Sequence, residues 1–248
     1  MSAVAVLGAS GTIGSAVARK LVQSGRRVLL VGRNAEKLAP LGAELASPTA
    51  VVDSQSSQSL EAALAEHSES LGGFSGLVNG IGSLLLKPAH ATSDDEFRQT
   101  IETNLFTSFA LVKAGGRLLR DHGGSIVLFS SAAADVGIQN HEAIAAAKAG
   151  IVGLARSAAA TYAPNNVRVN VVSPGLVRTE LTRRIWENAA AAGASRELHA
   201  LGRFGEPGQI ASLVAWLLDP ANDWITGQVI GLDGGLSRVL PKRRPVGN

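Results

Sequence analysis

Short apolar runs rich in Val, Ile and Leu recur along the chain and alternate with longer stretches in which apolar residues return every three or four positions. The runs are Ala3–Leu7, Arg27–Val31, Thr49–Asp53, Gly76–Asn79, Ser125–Ser130, Val167–Val172 and Gln228–Leu232, and their near-continuous apolarity predicts strands covered on both faces. The intervening stretches Thr12–Ser24, Asn34–Ala46, Ser57–Ser70, Ser93–Asp121, Asn140–Ala160 and Pro207–Leu218 carry the spacing of amphipathic helices. Ser93 followed by Glu96 predicts a capping box, and Pro207 suits a first helical turn. Strict strand–helix alternation predicts a doubly wound α/β fold: one parallel sheet with helices on both faces and right-handed crossovers. No internal repeat or linker divides the chain. A single domain over residues 1–236 is therefore expected, followed by a short tail over 237–248. Leu176–Arg203, the longest stretch between a strand and the next helix, lies after a strand's carboxyl end and predicts a partly helical lid.

Composition narrows the function classes. At 248 residues, 46% hydrophobic and 17% charged, the chain has ample material for a core and is unlike a disordered chain or a charged coiled coil. Its unbroken apolar runs fall far short of the roughly 20 residues that cross a bilayer. The N-terminus lacks the basic flank of a signal peptide, so a cytoplasmic protein is expected. There is no cysteine, hence no disulfide and no thiolate chemistry. The net charge of +3 is concentrated at the end: Arg238, Lys242, Arg243 and Arg244 are basic with no acid among them, and the rest is near neutral. Such a tail is a solvated end, not a nucleic-acid arm, so neither nucleic acid nor membrane is expected as a partner.

Candidate chemistry begins directly after the first strand, at Gly8-Ala9-Ser10-Gly11-Thr12-Ile13-Gly14. Glycines between a strand and a helix allow a tight turn and a close approach to a pyrophosphate, with helix N-terminal amides as donors. Gly8, Ser10, Gly11, Ile13 and Gly14 are the expected contacts. The second strand ends in Gly32-Arg33-Asn34, without the acid that would bond a ribose 2′-hydroxyl, and Arg33 is placed to meet a 2′-phosphate. NADP(H) is therefore favoured, with NAD(H) as the alternative. His67, His90, His122 and His199 show no ligand spacing, so no protein-ligated metal is expected.

From Ala3 to about Leu236 the chain resembles the short-chain dehydrogenase/reductase family, whose members have a Rossmann fold. Val52-Asp53 is similar to the family's adenine-contacting aspartate, and Asn79-Gly80-Ile81-Gly82 to its Asn-Asn-Ala-Gly segment. Asn104 falls on the helix asparagine of the catalytic tetrad, Ser131 on its serine and Lys148 on its lysine. Pro174-Gly175-Leu176-Val177-Arg178-Thr179 resembles the Pro-Gly segment whose threonine meets the nicotinamide amide, and Asp233-Gly234-Gly235 completes the pattern. The resemblance implies a nicotinamide dinucleotide, a small carbonyl or alcohol substrate, and a homodimer or homotetramer. Ala145, Ala149, Gly153 and Ala160 on one stretch of helix would permit the close approach of a second copy.

Two departures from the family pattern stand out. The glycines are spaced G-x2-G-x2-G where the main branch has T-G-x3-G-x-G. The tyrosine expected four residues before the lysine is Ile144, with no gap needed to reach it from Ser131. Tyr162, the sole tyrosine, lies fourteen residues beyond Lys148, about 21 Å along a helix, and is expected to pack. His141, three before Ile144 and seven before Lys148, is the sharpest substitute acid. A water held by Asn104 and Lys148, or a substrate group, is the other source of the proton. Three functions follow: an NADP(H)-dependent carbonyl reductase or alcohol dehydrogenase with an atypical proton donor; an inactive binding homologue serving as sensor or oligomer partner; or a non-redox lyase or isomerase on the same scaffold. Arg183, Arg184 and Trp186 in the lid are a solvated basic face or, alternatively, contacts for an acidic substrate.

Overall fold

A computed structural model describes residues 2–53 and 55–240. Seven parallel strands form one sheet: β1 (Ala3–Leu7), β2 (Val28–Gly32), β3 (Thr49–Val51), β4 (Phe74–Asn79), β5 (Gly124–Phe129), β6 (Val167–Pro174) and β7 (Val229–Leu232), in the order β3-β2-β1-β4-β5-β6-β7. The strand order reverses beside β1, so the loops after β1 and β4 diverge from one crevice, the place where open α/β sheets bind ligands.

Alternation along the strands sorts side chains to opposite faces. Ala3, Ala5, Leu7, Leu77 and Ile126 face α3 (Ser57–Ser68), α5 (Thr107–Leu118) and α6 (Glu142–Tyr162). Val4, Val6, Val78 and Val127 face α1 (Thr12–Gln23), α2 (Ala35–Leu45) and α9 (Pro207–Leu218). Helices thus cover both faces of the sheet, as the alternation implied. The capping box is present at α4 (Asp94–Ile101): Ser93 Oγ accepts from Glu96 N at 3.2 Å and Glu96 Oε2 accepts from Ser93 N at 2.8 Å.

One expectation is corrected and part of another falls outside the described residues. The stretch read as one helix from Ser93 to Asp121 is instead α4 and α5 joined by a π-helical segment, Glu102–Phe106, that widens the backbone around Asn104. Although α6 is long and apolar enough to span a membrane by composition, it lies on the sheet with Ile151 and Ala155 in the core. In the tail, Lys242, Arg243 and Arg244 lie outside the described residues.

Candidate active site

The glycine loop is tight because side chains do not fit it. Gly8 has φ +70°, and a Cβ there would lie 2.8 Å from the carbonyl carbon of Gly80. A Cβ on Gly14 would lie 2.2 Å from Gly8 O. Gly11 N donates to Gly8 O at 2.9 Å, and Gly80 N donates to Leu7 O at 2.9 Å, locking the loops after β1 and β4 together. Gly11 caps α1 without a side-chain bond, so the first helical amides face the crevice unshared, and Ser10 and Gly11 are exposed above them. Arg33 stands exposed at the end of β2, making no hydrogen bond or ion pair with the described residues, while Asn34 beside it caps α2. Asp53, exposed beyond β3, accepts from Gln55 N at 3.0 Å.

Asn79 turns inward. Its amide donates to Thr107 Oγ1 at 3.1 Å and Ser108 Oγ at 3.0 Å, and its Oδ1 accepts from Ile81 N at 3.1 Å. The side chain ties the end of β4 to the start of α5 and shapes the Gly80–Gly82 turn.

Asn104 and Lys148 meet across that turn. Asn104 is fully buried in the π-helical segment; its amide donates to Ser83 Oγ and Thr100 O, each at 2.9 Å, and Oδ1 accepts from Ser83 N at 3.2 Å. Lys148 Nζ donates to Phe129 O at 3.0 Å, and burial pushes its ammonium down from 10.5 to about 8. A Cβ on Gly82 would lie 3.2 Å from Asn104 Oδ1 and 3.7 Å from Lys148 Nζ, so the two polar groups flank this glycine. Ser130 Oγ donates to Lys148 O at 2.9 Å and anchors α6 to the end of β5. The next residue, Ser131, is half-buried and accepts from Ala133 N at 3.2 Å.

One turn before Lys148, Ile144 is 3% exposed and purely apolar. His141 is the residue before the first turn of α6, with φ −112° and ψ 12°, and so lies outside the helix face that its spacing from Lys148 suggests. Its Nδ1 lies 2.7 Å from Gln139 O, a contact that turns the ring back on its own loop. Tyr162 packs on α5, where a Cβ on Gly116 would come within 2.4 Å of its ring.

Beyond β6, Gly175 N donates to Leu232 O at 3.3 Å and Val177 pairs with Gly205. Thr179 is buried; its hydroxyl lies 3.1 Å from that of Thr182, and its carbonyl accepts from Trp186 Nε1 at 3.0 Å. The lid comprises α7 (Arg183–Trp186) and α8 (Ala189–Leu198), and Glu180 N donates to Thr12 Oγ1 at 3.2 Å, joining it to the glycine loop. Arg183 pairs with Glu180 at 2.7 Å and Glu187 at 3.6 Å, which suits the solvated-face alternative. His199, which no sequence signal marks, is 3% exposed and accepts from Leu176 N at 3.0 Å. Among the described residues no group of three or more His, Asp or Glu side chains could hold a metal ion.

Residues 8–237 match the model of the family described as Enoyl-(Acyl carrier protein) reductase, and carbonyl reductase family member 4 of Danio rerio is 33% identical over 97% of this chain and 100% of its own. The chain belongs to the short-chain dehydrogenase/reductase family. Another short-chain relative, the 3-oxoacyl-[acyl-carrier-protein] reductase of Mus musculus, is 35% identical over 95% of this chain and 98% of that protein. A solved structure of a short-chain type dehydrogenase/reductase from Mycobacterium ulcerans superposes with TM-score 0.91 at 30% identity, covering 95% of this chain and 90% of that one. Short-chain dehydrogenases/reductases are oxidoreductases that use a nicotinamide dinucleotide, and the crevice fits one. Gly8, Gly14 and Gly80 leave no room for a Cβ, so the backbone itself forms the floor beneath the free amides of α1.

Proposed function

We propose that the protein is an NADP(H)-dependent carbonyl reductase or alcohol dehydrogenase in which Lys148 and Asn104 serve the proton transfer, acting on a small carbonyl or alcohol. Gly8, Ser10, Gly11, Ile13 and Gly14 would cradle the pyrophosphate. Arg33, unpaired among the described residues, would meet the 2′-phosphate, and Asp53 the adenine. The Asn79–Gly80 turn, Pro174, Gly175 and Thr179 would bound the nicotinamide half. When bound, the reduced nicotinamide supplies the hydride. Ser131 orients the carbonyl oxygen, and Lys148 both holds the nicotinamide ribose and yields a proton.

The observation that carries this reading is the convergence of Asn104 Oδ1 and Lys148 Nζ on Gly82. Asn104 would hold a water there, and the buried ammonium, pushed down to about 8, is acidic enough to pass it a proton near neutrality. The overall change balances: hydride and proton add to C=O and give the alcohol. His141, turned toward Gln139 O, is less suited to the role.

Ile144 favours a second reading, an inactive NADP(H)-binding homologue that acts as a sensor or oligomer partner, because a buried alkyl group stands where the family has its acid. NADPH consumption over a carbonyl panel, run beside an Ile144→Tyr variant, separates the two. Turnover by the native protein supports the first reading, whereas turnover by the variant alone supports the second.

We further propose assembly as a homodimer or homotetramer. Ala149, Gly153 and Ala160 are exposed on α6, a Cβ on Gly153 would meet nothing within 4 Å, and Phe109 on α5 is 46% exposed. Light scattering showing only monomer would refute this assembly.

A further inference from the structure

His199 is a buried imidazole with both nitrogens in use, and neither the glycine loop nor the Asn104–Lys148 pair accounts for it. It follows the last turn of α8. Its Nε2 accepts the main-chain N–H of Leu176 at 3.0 Å, so that nitrogen carries no proton, and Nδ1–H donates to Ser195 O at 2.7 Å. One ring therefore joins the end of the lid to the turn that leaves β6.

The surroundings hold the ring in this pose. Gly175 is required beside it, because a Cβ there would lie 2.6 Å from Nε2. Phe204 packs edge-on at a centroid distance of 6.4 Å, and Arg178 and Arg196 each lie over the Phe204 ring. Gly205 N donates to Leu176 O at 2.9 Å, so both main-chain groups of Leu176 are tied to the 199–205 segment. Leu201 N in turn donates to Gly234 O at 2.9 Å. The turn after β6, the end of the lid and the loop after β7 are thus cross-linked around one side chain.

Three residues beyond Leu176 stands Thr179, whose hydroxyl and carbonyl are held by Thr182 and Trp186 at the front of the lid. The Leu176–Thr179 segment is consequently fixed at one end by His199 and at the other by the lid's own first turn. We infer that His199 is a positioning residue: through Leu176 it sets the Gly175–Thr179 wall of the nicotinamide site and keeps the lid docked on it. This inference rests on the cofactor assignment of the proposed function, and its consequence is measurable as binding, without turnover.

The test compares His199→Leu, which keeps bulk but removes both bonds, with His199→Gln, whose side-chain oxygen replaces the acceptor at Nε2. NADPH binding is read by fluorescence titration. His199→Leu is expected to weaken it about tenfold, the scale of one lost buried hydrogen bond, and His199→Gln to restore it to within about threefold. Amide exchange at Leu176, followed in the cofactor-free native protein and in His199→Gln, covers the case in which the Leu variant fails to fold. A slowly exchanging Leu176 amide in both supports the inference, and fast exchange in the native protein overturns it. Native affinity in His199→Leu overturns it equally, as does a loss in His199→Gln as large as in His199→Leu. If the native protein binds no dinucleotide, the cofactor assignment fails. Limited proteolysis then decides the lid-docking role: faster cleavage within residues 180–198 in His199→Leu than in the native chain upholds it, and equal rates overturn it.

Discussion

Lys148→Met is expected to make the cofactor-free protein more stable at neutral pH while impairing its function. The ammonium of Lys148 is buried, with Phe129 O as its hydrogen-bond acceptor at 3.0 Å, and burial pushes its pKa from 10.5 to about 8. That drop corresponds to a penalty of about 3 kcal/mol on the charged form in the folded state. The unfolded chain keeps the proton up to about 10.5 while the folded one releases it from about 8, so the unfolded state binds more protons between these values. Native stability attributable to Lys148 therefore rises with pH across that interval, and the penalty is fully present below it. Methionine fills a similar volume without a charge but leaves the Phe129 carbonyl unpaired, a loss of about 1–2 kcal/mol. The variant should gain about 1–2 kcal/mol at pH 7 and fall below the native protein by pH 10. Urea unfolding of both proteins at pH 7, 8.5 and 10, at equal concentration, isolates this difference because all other groups titrate in common. A variant less stable by the same amount at every pH would refute the reasoning. NADPH affinity should fall in the same variant, since the proposed ribose contact is removed.

Arg33→Ala should reduce the preference for NADPH over NADH by about one to two orders of magnitude, as befits a lost charge-assisted contact; an unchanged ratio of the two dissociation constants would remove Arg33 from the site. Gly14→Ala forces a Cβ to within 2.2 Å of Gly8 O, so dinucleotide binding should be lost and the stability reduced by about 1–3 kcal/mol of overpacking, seen as a lower melting temperature. His141→Ala should change NADPH turnover less than twofold, because its ring is directed at Gln139 O, and a drop of a hundredfold would return it to the role of acid.

The alternation of buried strands and amphipathic helices, the glycine loop and the order of the later segments were all legible along the chain, because each is a local pattern whose spacing matches the structure that it forms. The same alternation implied a parallel sheet, but the strand order β3-β2-β1-β4-β5-β6-β7 came only from the structure. The registry of the active-site groups was not legible either. Nothing in the run from Ser93 to Asp121 announces the π-helical segment at Glu102–Phe106, because a single local insertion is not separable from ordinary scatter in the apolar spacing. His141 and Lys148 share a spacing that suggests one helix face, yet a backbone that enters α6 through Asn140 at φ +62° leaves His141 outside the helix. Asn79 could be picked out from its motif, but its bonds to Thr107 and Ser108, 28 and 29 residues later, could not. His199 shows the limit most clearly: its partners Ser195 and Leu176 are 4 and 23 residues away, and only folding the lid back over the end of β6 brings both to one ring. Local spacing determines which backbone elements form, through sterics and periodic burial. Which polar atoms face one another is decided by contacts between distant segments, whose geometry exists only once the sheet and lid have packed.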